Sequence, residues 1–93
     1  MIIYVHCFGQ IRTLTKERMV EMTLINQTSI PAALDEFVKM YGDALEELLY
    51  NEGKLRGFYS IQVDKEHVKD ENLEDYNLQD GQTIAIIPFI AGG

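Results

Sequence analysis

The strongest constraint on how this chain can fold is a change of hydrophobic period between its ends and its middle. The opening stretch IIYVHCF alternates, with Ile3, Val5 and Cys7 on one side and Ile2, Tyr4, His6 and Phe8 on the other. That is the period-two pattern of a β-strand. RMVEMTLI alternates too, placing Val20, Met22 and Leu24 on one face and Glu21 and Thr23 opposite. The spacer GQIRTLTKE is read as the turn that closes both strands into a hairpin.

The middle of the chain switches to helical spacing. In SIPAALDEFVKMY, Leu34, Phe37, Val38 and Tyr41 form one apolar stripe. Ser29 is placed to accept from a free amide of the first turn, and Pro31 fits a turn where its missing N–H is not needed. Asp35 and Glu36 are expected near the positive end of this helix. Gly42 ends or kinks it, and Asp43 with Glu46 resembles a capping box opening a second segment that runs to Glu52. Leu45, Leu48 and Leu49 are its apolar side, and Gly53 its expected stop. FYSIQVD returns to period two, with Tyr59, Ile61 and Val63 sharing a face. A tight turn at DKEHV, a helical turn anchored by Leu73 and Leu78, and a turn around Gly81 follow. TIAIIP is apolar on both sides, as a central strand should be.

The order strand, strand, helix, strand, short turn, strand predicts an α+β fold, a ubiquitin-like β-grasp. Its mixed sheet packs on one main helix, with a second short helical segment, and the first and last strands run parallel at the centre. Ninety-three residues suffice for one such core. Residues 1–87 are expected to form this domain and 88–93 a flexible tail.

Fifteen acidic residues against eight basic ones give a net charge of −7, which argues against a nucleic-acid surface. No apolar run approaches the ~18 residues of a membrane span, and MIIYVHCFGQ lacks the positive leader of a secretory signal. One cysteine cannot form an internal disulfide, so a cytoplasmic setting is expected. There is no nucleophile elbow and no phosphate-binding glycine loop. His6 and His67 lie far apart, and Cys7 shares the face of Val5 as a small core residue would, a persulfide role being the weaker alternative. No catalytic residue, metal ligand or bound cofactor is therefore expected in the chain itself. Alternation does leave Tyr4, His6, Phe8 and Ile87 on the open face of the sheet. They form a docking patch, unless Phe8 tucks beneath a loop or the tail.

PFIAGG then follows the last strand. Pro88 stiffens the exit, and Phe89 and Ile90 offer apolar grip to a partner. Gly92 and Gly93 carry no Cβ and can thread a narrow channel. Such a channel could hold a carboxylate within attack distance of the α-phosphate of ATP in an activating enzyme. A Gly-Gly pair alone is a weak signal that a flexible or truncated end also produces. Its place just beyond the last strand of a β-grasp domain is what strengthens it.

FGQIR, with Phe8, Gly9, Ile11 and Arg12, and LQDGQTIAIIPFIAGG together resemble the MoaD/ThiS sulfur carriers, relatives of ubiquitin. The likeness runs over nearly the whole chain. Phe89 stands in place of a second proline, Gln82 in place of an acidic residue, and Asp64–Lys65 in place of Asn-Gly. The segment from Asp43 to Glu52 is most like the molybdopterin branch, whose carrier is the small subunit of molybdopterin synthase. The resemblance implies that a MoeB-like, ubiquitin-activating-type enzyme uses ATP to adenylate the Gly93 carboxylate, and that a sulfur donor protein converts it to a thiocarboxylate. Pro88, Phe89, Ile90, Ala91 and Gly92 would insert into a MoaE-like large subunit, where the sulfur passes to the pterin precursor. Phe8, Arg12 and Ile87 fall where the family contacts partners. The same tail fits a protein modifier linked to lysines, or a carrier for thiamine or transfer-RNA thiolation. A non-covalent β-grasp binding module is the alternative of another class.

Overall fold

The computed structural model describes residues 1–89. In chain order these form β1 (Ile2–Cys7), α1 (Gly9–Thr15), β2 (Met19–Thr23), α2 (Ile30–Tyr41), α3 (Asp43–Leu49), β3 (Tyr50–Asn51), β4 (Lys54–Leu55), β5 (Tyr59–Val63), β6 (Glu66–Val68), a 3-10 turn (Asp70–Asn72) and β7 (Thr83–Pro88). The main sheet has the order β2-β1-β7-β5-β6. β1 and β7 are its parallel pair, and the remaining pairs are antiparallel. The mixed sheet with its two end strands at the centre is the expected β-grasp.

The expected alternation becomes burial. Ile3, Val5, Ile61, Ile84 and Ile86 are fully buried against Phe37 of α2 and Leu45 and Leu49 of α3. Ser29 caps α2 as anticipated, its Oγ accepting from the Ala32 N–H at 3.3 Å, with Pro31 in the first turn.

Several local expectations are corrected. GQIRTLT is a helix, α1, not part of a plain hairpin turn. Ile11 and Thr15, one helical turn apart, are both buried, and Lys16 ends the helix in the left-handed region with its N–H on the Arg12 carbonyl at 2.8 Å. Gly42, not Asp43, caps α3, because its carbonyl accepts from Leu45 and Glu46 while Asp43 makes no cap bond. Asp35 and Glu36 sit beyond the first turn of α2. Asp35 accepts from the Tyr50 hydroxyl, and Glu36 pairs with Lys39, both at 3.2 Å. Gly53 does not stop a helix. With Glu52 (φ 52°) it makes the turn (φ 79°) of the small β3–β4 hairpin. DKEHV is not a turn alone but also holds a further strand, β6, paired with β5. β7 continues through Pro88, opposite Tyr59 and one residue past the expected domain limit.

The β5–β6 turn explains the Asp64–Lys65 departure. Asp64 and Lys65 both have positive φ, 50° and 73°, as two-residue hairpins of right-handed twist demand. Asp64 also holds the start of β7: its N–H donates to the Thr83 carbonyl at 2.9 Å, and its carboxylate accepts from the Thr83 N–H at 3.0 Å. Lys65 has no comparable local bond among the described residues and carries the steric cost of a Cβ in the left-handed region. Lys65→Gly should therefore raise stability by about 1 kcal/mol. The urea midpoint should rise with unchanged slope, and an unmoved midpoint would contradict strain at this turn.

Candidate functional site

The site is built by the parallel pairing of β1 with β7, in which Val5 sits beside Ile84, His6 beside Ala85 and Cys7 beside Ile86. Val5, Cys7, Ile84 and Ile86 go to the core. By alternation His6, Ala85 and, one step further, Phe8 and Ile87 turn to the opposite face. There they line a hollow of about 570 Å³ with Met19 of β2, Gln62 of β5, Thr83, and the turn residues Asp64 and Lys65. The His6 and Phe8 rings lie 4.2 Å apart at 36°. Phe8 thus stays on the open face, half-buried against its neighbour. Apolar side chains make the floor, and Asp64 and Lys65 put one charge of each sign on the rim.

The two ends of the chain's motif pattern meet at one edge of this hollow. Gly9 has φ +55°, and a Cβ there would lie 3.5 Å from Pro88 Cγ. Ordinary contact distance leaves room for that atom, so conformation rather than space favours glycine here. Phe8 remains extended while its carbonyl accepts from Ile11 at 3.1 Å and Arg12 at 3.3 Å, which starts α1. Phe8, Gly9, Ile87 and Pro88 are therefore brought together. Arg12 is exposed on α1 and does not line the hollow.

Beyond Pro88, the Phe89 N–H donates to the Phe58 carbonyl, extending the β5–β7 ladder by one bond. Phe89 is 70% exposed and Phe58 46% exposed. Phe58 escaped the sequence reading, although it precedes buried Tyr59 and must by alternation face the other way. Met19 likewise faces outward, by alternation with buried Val20 and Met22, a signal the strand pattern carries. Ile90, Ala91, Gly92 and Gly93 lie outside the described residues.

The turn before β7 accounts for Gln82. Its Oε1 accepts from the Gln79 N–H at 2.8 Å and its Nε2 donates to the Tyr76 hydroxyl at 3.3 Å, so one amide serves both partners. Asp80 accepts from the Ile2 N–H at 2.6 Å, and the Ile2 carbonyl accepts from Gly81 at 2.6 Å, so this turn ties β7 to the start of β1.

Among the described residues no three His, Cys, Asp or Glu side chains converge as metal ligands, and no helix is long and apolar enough to cross a membrane. Cys7 is 1% exposed. Burial pushes its thiol up, a hydrogen bond with Thr15 opposes this, and the Glu17 charge adds to the rise. The thiolate, the reactive form, is thus suppressed at neutral pH. A disulfide-exchange reagent should leave Cys7 unlabelled in the native protein at pH 7 and label it fully in urea. Rapid native labelling would contradict the packing described here.

A sequence model described as the ThiS family matches residues 5–93. Among solved structures, SAMP1 from Haloferax volcanii superposes with a TM-score of 0.85 at 20% identity over 100% of both chains. A chain of the BexX/CysO complex from Amycolatopsis orientalis gives 0.79 at 26% identity, covering 98% of this chain and 99% of that one. The putative molybdopterin converting factor subunit 1 from Pyrococcus furiosus gives 0.72 at 20% identity, covering 96% and 98%. No curated protein matches the sequence. With nearly its whole length matched, and with the ubiquitin-like fold these structures share, the chain belongs to the ThiS family of sulfur carriers.

Proposed function

We propose that this protein carries sulfur as a thiocarboxylate on Gly93 and presents it through the open face beside the β7 exit. The carrying observation is the placement of Phe8 and Ile87 in one apolar hollow with Pro88 leaving at its edge. A partner that covers the hollow receives the tail in a fixed direction. The four residues after Phe89 can reach at most about 14 Å, so an active site that uses the Gly93 carboxylate must belong to a protein docked close to this face.

The chemistry needs only that carboxylate from this chain. An activating enzyme of the MoeB-like, ubiquitin-activating type joins it to AMP from ATP with loss of pyrophosphate. Hydrosulfide delivered by a sulfur donor protein then attacks the acyl carbon and displaces AMP, leaving the thiocarboxylate and releasing a proton. The surface exposed in the hollow is mostly apolar and contributes docking area, and we assign the acid–base and nucleophilic groups to the partners. We assign the sulfur to molybdopterin synthesis, with this chain as the small, non-catalytic subunit beside a MoaE-like large subunit that takes in Pro88, Phe89, Ile90, Ala91 and Gly92. The support is the sequence resemblance, including the helix α3 that follows Gly42. Arg12, exposed on α1 outside the hollow, is assigned to the rim of the same contact.

Two variants test this. Deleting Gly93 should abolish ATP–pyrophosphate exchange by the activating enzyme while leaving the near-ultraviolet circular dichroism unchanged. Phe8→Asp should weaken the complex with that enzyme by roughly tenfold or more. Undiminished exchange by the Gly93-deleted chain would overturn the proposal. Conjugates joined through Gly93 to lysines of other proteins, with no thiocarboxylate formed, would replace it with the modifier reading.

A further inference from the structure

β2 is a free edge of the sheet, and only its Met19 end borders the Phe8 hollow. At the two ends of the β1–β2 pair, Leu24 and Met1 bond each other, and the Cys7 N–H donates to the Arg18 carbonyl at 2.8 Å. Antiparallel alternation then turns the backbone groups of Val20 and Met22 toward β1 and those of Met19, Glu21 and Thr23 outward. β2 ends the sheet, so no strand takes up those outward groups. The opposite edge, β6, is only three residues long, whereas β2 has five. A long edge with free donors and acceptors is a template for an added strand.

Charge selects the occupant. Glu21 lies opposite Tyr4 within the sheet, and the one ion pair among the described residues is Lys39–Glu36. Its carboxylate is therefore exposed and unpaired at the middle of the free edge. A second copy in the best-aligned antiparallel register would set Glu21 against Glu21, and like charges directly opposite are destabilising. The chain's net charge of −7 adds to that repulsion. Next to the strand end, Thr23, Ile25, Ala32 and Glu36 border a hollow of about 410 Å³, and Ile25 is 95% exposed. An added strand would place alternate side chains toward this hollow and the others beside Glu21.

We propose that the β2 edge binds an extended segment of a basic partner protein, with Lys or Arg across from Glu21 and apolar residues at the alternate positions. The inference is independent of the sulfur chemistry.

The test uses the full chain, isotope-labelled, titrated with an alternating lysine–valine octapeptide and with its glutamate–valine counterpart. The lysine peptide should shift the amides of Met19, Glu21 and Thr23 and slow their exchange with solvent, and the glutamate peptide should not. Glu21→Lys should weaken lysine-peptide binding by about fivefold, the size of a cross-strand charge pair. Glu71→Lys, the same charge change on the 3-10 turn, should weaken it less. Shifts confined to β6, or to Met19, Phe8 and Ile87 of the hollow without Glu21 and Thr23, or equal losses in both variants, would overturn the proposal. So would protection of β2 that appears without peptide as protein concentration rises, since a second copy would then be the occupant.

Discussion

The parallel pairing of β1 with β7 is the constraint on which the rest of this structure depends. Parallel neighbours cannot be joined by a tight turn and need a long crossover, and here that crossover is almost the entire chain. α2 and α3 therefore cover one face of the sheet, and the remaining strands fill in at its flanks. The pairing is secured at its entrance by Asp80 and Gly81 bonding Ile2, and by Asp64 bonding Thr83. It is secured along its length by buried Val5, Cys7, Ile84 and Ile86. Because both strands run the same way, the end of β1 and the end of β7 arrive together. Phe8 and Gly9 thus meet Ile87 and Pro88, although almost eighty residues of chain separate them.

That meeting links fold to function. One face of the central strands is committed to the core, which leaves the opposite face free to meet a partner. It shows His6, Phe8, Met19, Ala85 and Ile87, a mostly apolar floor beside the exit of the last strand. Membership of the ThiS family gives this arrangement the sense we propose for it, a docking face at the exit of the last strand. The thiol of Cys7, which lies between His6 and Phe8 in sequence, points to the opposite side and is shielded there.

Strand alternation and the helical stripe made most of the fold legible. Ile3, Val5, Cys7, Phe37, Ile61 and Ile86 could be assigned to the core from spacing alone, and the assignment of Phe8 and Ile87 to the open face followed from the same rule. The misses have a common physical origin. α1 is only seven residues, too short to display a helical period, and its two buried residues, Ile11 and Thr15, sit among polar ones. The β3–β4 and β5–β6 hairpins turn on Glu52, Asp64 and Lys65 at positive φ, conformations that those residue types do not announce. Gly53 is ambiguous in sequence, because a helix stop and a hairpin turn both call for a left-handed glycine. Arg12 fitted the front motif, yet the unforeseen helix carries it away from the hollow. Ile90, Ala91, Gly92 and Gly93 were legible only through motif and family, since the described residues stop short of them.

The central claim is that the Gly93 carboxyl group carries sulfur, and the most direct measurement is the intact mass of the protein purified from its native cells. The account predicts a species heavier by the exchange of one oxygen for one sulfur, located at Gly93 by fragmentation and lost when Gly93 is deleted. Unmodified chain alone, under conditions where the cells are making the sulfur-containing product, would contradict it.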